Sequence, residues 1–138
     1  MILTILGEPK PKQSAKFAKM GKFVKSYQPK KVVQNERNIR TQIISQLPKD
    51  FVPFKGALAM TVHYVFPPLK SMSKKVLKQV DEGTLYKTTR PDLDNLAKSL
   101  LDAMNGVVFI DDAQVVYMSL TKKYGNTPET LIYIKEED

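Results

Sequence analysis

The 138-residue chain has no cysteine, a single histidine, only three arginines and no apolar run approaching the ~20 residues of a membrane span. Without cysteine there is neither a disulfide nor a thiolate metal site, which suits a reducing cytoplasm. Met1 to Leu6 is too short for a signal peptide and lacks its basic start, so an intracellular, cytoplasmic protein is expected. Acid is scarce as well: 14 acidic residues face 22 basic ones, for a net charge of +8. That excess, with a pI near 9.6, points to a polyanionic partner. Because 19 of the 22 basic residues are lysine, contact with phosphate is favoured over the bidentate base reading at which arginine excels.

The length suits one domain with a real core, and no repeat, low-complexity tract or linker divides it, so residues 1–138 are read as a single unit. Ile2 to Leu6 predicts a first strand stopped by Gly7 and Pro9. From Pro9 to Lys31 there are eight lysines and no acid, interleaved with Phe17, Phe23 and Tyr27. This spacing follows a nucleic-acid backbone while rings pack or stack on bases, and Phe23-Val24 also fits a short strand. A helix is expected from about Pro29 to Leu47, with Val32, Ile39, Ile43 and Leu47 as its apolar stripe. Leu58, Met60, Val62, Tyr64 and Phe66 alternate with less apolar residues and predict a long strand. His63, on the less apolar face, is read as structural. Ser71 or Ser73 caps a short helix running to Val80 and closed by Gly83. Gln114 to Lys123 and Glu129 to Lys135 read as two strands, a hairpin or neighbours joined through Gly125–Pro128, with Val116, Met118 and Leu120 facing one way. The expected fold is α+β, a mixed sheet of about four to six strands packed against two main helices.

The scarce acid is unevenly spread. Asp92, Asp94, Asp102, Asp111 and Asp112, five of the fourteen acidic residues, fall within 21 positions that hold one lysine, Lys98. Pro91 fits the start of a helix, placing Asp92 near the N-cap and Asp94 in the first turn. Leu93, Leu96, Ala97, Leu100 and Met104 form an apolar stripe, Asp94, Lys98 and Asp102 a polar row at i, i+4 and i+8, and Asn105-Gly106 a C-cap. Val107–Ile110 is a short apolar run; if it returns alongside the helix, it carries Asp111 and Asp112 back to the helix N-terminus. Carboxylates converging with no cysteine or histidine nearby would repel unless a cation joined them, and hard oxygen donors select Mg²⁺, with Mn²⁺ as substitute, over zinc. Capping and turn formation account for either acidic pair alone, but the combination with Lys98 exceeds what those devices need. Lys70, Lys74, Lys75, Lys78, Lys87 and Arg90 place positive charge just before the acidic stretch.

The run Arg90-Pro91-Asp92-Leu93-Asp94-Asn95-Leu96-Ala97-Lys98, then Leu101-Asp102-Ala103-Met104-Asn105-Gly106, then Asp111-Asp112-Ala113-Gln114-Val115, resembles the signature of the RusA family of Holliday-junction resolvases, often carried by phages and prophages. The resemblance implies metal binding at Asp92, Asp94 and Asp112, a functional lysine at Lys98, and a homodimer. It departs at the amino end, where the basic run Lys10-Pro11-Lys12-Gln13-Ser14-Ala15-Lys16 has no arginine. The reading is a Mg²⁺-dependent endodeoxyribonuclease of recombination and repair that resolves four-way DNA junctions by paired symmetric incision. Asp92, Asp94, Asp112 and Lys98 are its catalytic set, and Asp111, Asp102 and Asn95 lie around them. Lys10, Lys12, Lys16, Lys74, Lys75 and Arg90 are the DNA contacts, with Asp102 as a partner for Lys98. No nucleotide cofactor and no membrane are expected. Two alternatives stay open: a non-catalytic module that binds branched DNA, and a metal-dependent nuclease for flaps or RNA.

Overall fold

A computed structural model describes residues 1–12, 16–20, 23–27 and 30–137, those of 16–20 and 23–27 by backbone alone. Its strands are β1 (Ile2–Leu6), β2 (Lys16–Met20), β3 (Phe23–Tyr27), β4 (Leu58–Phe66), β5 (Val115–Tyr124) and β6 (Glu129–Glu136). The α-helices are α1 (Lys30–Gln46), α2 (Lys74–Asp81) and α3 (Leu93–Met104), and a 3₁₀ turn spans Asp112–Gln114. The main sheet is mixed, in the order β1-β6-β4-β5, while β2 and β3 form a separate antiparallel pair. This is the expected α+β class. Lys16, Phe17, Phe23 and Tyr27 fall where side chains are outside the description, and Pro29 is outside it entirely.

β4 is the middle of the structure because its alternation is the strongest in the chain. Leu58, Met60, Val62, Tyr64 and Phe66 are all buried, and α1 and α3 supply the opposing surface through Ile39, Ile43, Leu96, Leu100 and Met104. His63 faces the other side, half-buried, within 2.6 Å of Thr121 Oγ1.

The expected β5–β6 hairpin does not form: β4 lies between the two strands, parallel to β5 and antiparallel to β6. Residues 125–128 must therefore cross two strand spacings, roughly 10 Å, and four extended residues reach about 13–14 Å. Gly125 N–H bonds Phe66 O at 2.9 Å as the chain rounds the end of β4. The apolar row of β5 is also corrected. The register slips where Leu58 pairs with Val115 and Ala59 with Tyr117, leaving Val116 as an extra, exposed residue. Such a bulge shifts the alternation, so the core-facing residues are Val115, Met118 and Leu120.

The β1 edge is sealed by two glutamines one turn apart on α1. Gln46 accepts from Thr4 N (2.9 Å) and donates to Thr4 O (2.7 Å), while Gln42 does the same for Leu6 N (2.8 Å) and Leu6 O (3.2 Å). Helix residues four apart and strand residues two apart advance by similar distances, ~6 and ~6.8 Å, so the amides match the strand's open groups. Replacing Gln42 and Gln46 together with alanine is expected to destabilise the protein by about 1–2 kcal/mol, given that these bonds are exposed. Chemical denaturation would register this as a lower midpoint at unchanged m; an unchanged midpoint would show that water replaces the amides at no cost.

Candidate functional site

α3 joins the acidic motif to the core. Its buried face is Leu96, Ala97, Leu100, Ala103 and Met104, and Asp92, Asp94 and Lys98 lie exposed on the other side. Asp92 occupies the N-cap with φ −74° and ψ 148°, yet its side chain makes no capping hydrogen bond. Its carboxylate, unlike that of an ordinary capping aspartate, is not consumed by the helix. Asp94 follows in the first turn, where the free N–H groups favour its negative charge.

Asp92 and Asn95 form one side of an open cleft whose other walls include Lys10, Lys12, Lys87, Arg90 and Phe66. The amino-terminal wall is tied to α3 by Lys12 N donating to Asn95 O at 3.0 Å. The segment leading into α3 is held by Lys122, whose Nζ donates to Thr89 O and Pro91 O, both at 2.8 Å. Lys87 sits over Phe66 and Tyr124, 5.2 and 5.1 Å from the ring centres, and donates to Thr89 Oγ1 at 2.8 Å. Lys10, Lys12, Lys87 and Arg90 thus share a cleft with the uncommitted Asp92 carboxylate and with Glu8, a charge arrangement able to bring a phosphate against an oxygen-ligated metal.

Asp112 is elsewhere. Gly106 takes φ +77°, the left-handed step that ends α3, and Val107 and Val108 fold straight back onto Met104 O at 3.0 Å. Residues 107–110 form this turn, with an isolated bridge from Phe54 to Phe109, and no strand returns along the helix. The expectation that this run carries Asp111 and Asp112 to the helix N-terminus is therefore corrected. Burial is the reason: Val108 and Phe109 are 0% exposed and anchor the chain at the C-terminal end of α3. There Asp112 meets Asp111, Asp102 and Asn105. Its carboxyl is pushed above the usual range, first by its hydrogen bond with Asp111, then by burial and by the charges of Asp111 and Asp102, with Asn105 acting the other way. Asn105 Oδ1 is buried without a hydrogen-bond partner. Asp102, the α3 aspartate near Asp112, follows Asp94 by eight residues, roughly 12 Å along the helix at about 1.5 Å each. Among the described residues no three carboxylate or imidazole groups approach closely enough to hold one ion.

Asp102 does not pair with Lys98. Lys12 Nζ reaches it at 3.1 Å and also donates to Glu36 of α1, and both ion pairs among the described residues are Lys12's. Burial lowers the Lys12 pKa, but the hydrogen bonds and charges of Glu36 and Asp102 outweigh that and hold it above its ordinary value. Lys12 thus joins three elements, whereas an i, i+4 pair on one helix contributes only ~0.2–0.5 kcal/mol. Lys10 and Arg90 remain exposed at the cleft, and Lys74 and Lys75 are exposed at the start of α2, whose cap is Ser73. The Lys16 side chain lies outside the description.

Three residues outside the expected site set shape this site. Lys122 fixes the segment before α3, as above. Arg40 donates to Ala103 O and Asp102 O at 3.2 and 3.4 Å, satisfying carbonyls at the end of α3. Gln114 holds the Asp111–Asp112 turn, and its signal was present as the capping-box spacing Asp-x-x-Gln.

Comparison with known proteins places these features in a family. The model for endodeoxyribonuclease RusA matches residues 7–135. An uncharacterised protein of Bacillus subtilis (strain 168), YqaN, is 37% identical over 83 residues, 59% of this chain and 58% of its own length. The crossover junction endodeoxyribonuclease rusA of Lactococcus phage r1t is 29% identical over 89 residues, 64% of this chain and 61% of its own. The chain therefore spans about three-fifths of the length of these curated relatives. Since the family match runs through both walls of the cleft, all of α3 and the Asp111–Asp112 turn, the chain belongs to the RusA endodeoxyribonuclease family.

Proposed function

We propose that this protein is a Mg²⁺-dependent endodeoxyribonuclease that resolves four-way DNA junctions by paired incision. The observation that carries this reading is the Asp92 carboxylate, at the N-cap but free of any capping bond, on a cleft walled by Lys10, Lys87 and Arg90. Mg²⁺ typically takes one or two carboxylates and completes its shell with water and substrate phosphate. Asp92 and Asp94 fit that donor set, so a closed protein cage is not required. Bound there, the metal would supply an acidic water and charge stabilisation at the phosphorus.

The chain's own residues do the rest. Lys10, Lys87 and Arg90 draw in and hold the phosphate backbone, and Lys98, one turn beyond Asp94, offers an exposed ammonium to charge developing on the reacting phosphate. Asp112, with Asp102 and Asp111 near it, forms a second acidic group at the far end of α3. Two symmetric cuts require two sites, hence a two-fold dimer with one site per subunit. The motif's resemblance implies that Asp112 takes part in the same reaction.

Incubation with a synthetic four-way junction, a duplex, a flap and an RNA, each with and without Mg²⁺, tests the reading. Paired symmetric nicks in the junction that vanish with chelator and return with Mg²⁺ or Mn²⁺ are expected. Junction binding without incision would instead favour a capture module, and equal cutting of flaps or RNA a broader nuclease.

A further inference from the structure

We infer that Gln114 is a positioning residue: its side-chain amide fixes the Asp111–Asp112 turn against the loop at residues 54–56 and so sets where the Asp112 carboxylate stands. The consequence for catalysis rests on the nuclease reading above. A primary amide has two N–H donors and an oxygen with two lone pairs. Gln114 uses all four. Its Oε1 accepts from Ile110 N and Asp111 N, both at 2.9 Å, and its Nε2 donates to Phe54 O at 2.8 Å and Gly56 O at 3.0 Å.

The need for such a clip is visible in the backbone. Phe54 N bonds Val108 O at 2.9 Å, but the next rung, Ile110 N to Phe54 O, has stretched to 3.4 Å, and Ile110 N turns to Gln114 instead. The two segments separate as the chain nears Asp111, and the amide bridges them where main chain no longer can. Other side chains fail on chemistry. Glutamate has no donor for the two carbonyls, lysine and arginine have no acceptor for the two N–H groups, and asparagine is one methylene short. Ala113 N donating to Asp111 Oδ1 at 3.5 Å is too long to hold the turn by itself.

The test compares wild type, Gln114→Ala, Gln114→Glu and Asp112→Asn. Hydrogen exchange at the Ile110 and Asp111 amides reads the clip directly, and exchange at least ten-fold faster in Gln114→Ala is expected. In junction cleavage, kcat is expected to fall about 10- to 100-fold while KM changes less than two-fold, the range seen when a group orienting a ligand is lost. Gln114→Glu keeps acceptors for the two N–H groups but has no donor for Phe54 O and Gly56 O, so its kcat is also expected to fall with KM little changed. Wild-type exchange at the two amides, or wild-type kcat in Gln114→Ala where Asp112→Asn is impaired, overturns the inference. Full activity in Asp112→Asn overturns the placing of Asp112 in the chemistry instead, and the exchange result still decides whether Gln114 holds the turn.

Discussion

Asp94→Asn is expected to cut junction incision by about 10²–10³-fold while leaving junction affinity unchanged or slightly tighter. The magnitude is that of removing one preorganised group that stabilises transition-state charge. The sign on affinity follows from charge: one negative charge fewer stands near a cleft walled by Lys10, Lys87 and Arg90, which a polyanion would approach. Asparagine preserves the volume. The lost attraction to the helix N-terminus costs only ~0.3–1 kcal/mol, so unfolding cannot account for the loss of rate. Asp92→Asn is expected to behave alike, because the Asp92 side chain makes no capping bond to lose. Single-turnover incision beside a junction titration separates the two quantities. A wild-type rate in both variants would remove this end of α3 from the reaction.

Phe109→Ala is expected to give the largest loss of stability of any single truncation near the site, about 3–5 kcal/mol. Against a typical total of ~5–15 kcal/mol, that leaves a marginal fold. Phe109 is 0% exposed and bridges to Phe54, and its carbonyl accepts from Gly106 N at 2.7 Å. It is the peg that keeps the chain at the C-terminal end of α3 two residues before Asp111. Ile110, its neighbour, is 58% exposed, and its truncation is expected to change stability by less than ~0.5 kcal/mol. Denaturant melts of the two variants check the contrast, and equal midpoints would refute it.

The parts of this molecule legible in the sequence are those written as a period. The alternation from Leu58 to Phe66 gave a buried strand, and the stripe from Leu93 to Met104 gave α3, because burial on one face imposes a fixed spacing. The residues of the motif were also found, since acid stands out in a chain of net charge +8. Their arrangement was not. Whether Val107–Ile110 returns along the helix or turns back depends on where Val108 and Phe109 find a cavity to fill, and four apolar residues carry no sign of that. The insertion of β4 between β5 and β6 escaped for a related reason: a four-residue connection serves a hairpin and a step over one strand equally well. Lys12 illustrates the polar case. It reads as one more lysine in a basic tract, and only the approach of Glu36 and Asp102, 24 and 90 residues away, makes it an internal tie.

The glutamine pair on α1 has a bearing on assembly. With Thr4 and Leu6 already satisfied by Gln46 and Gln42, no neighbouring chain gains by lining up beside β1. The opposite side of the main sheet is covered differently: along the end of β5, Lys87 N bonds Lys122 O at 3.1 Å and Tyr124 N bonds Leu85 O at 3.0 Å. Lateral growth of the sheet past either side would first have to displace bonds the chain makes to itself, which works against runaway stacking into a fibre.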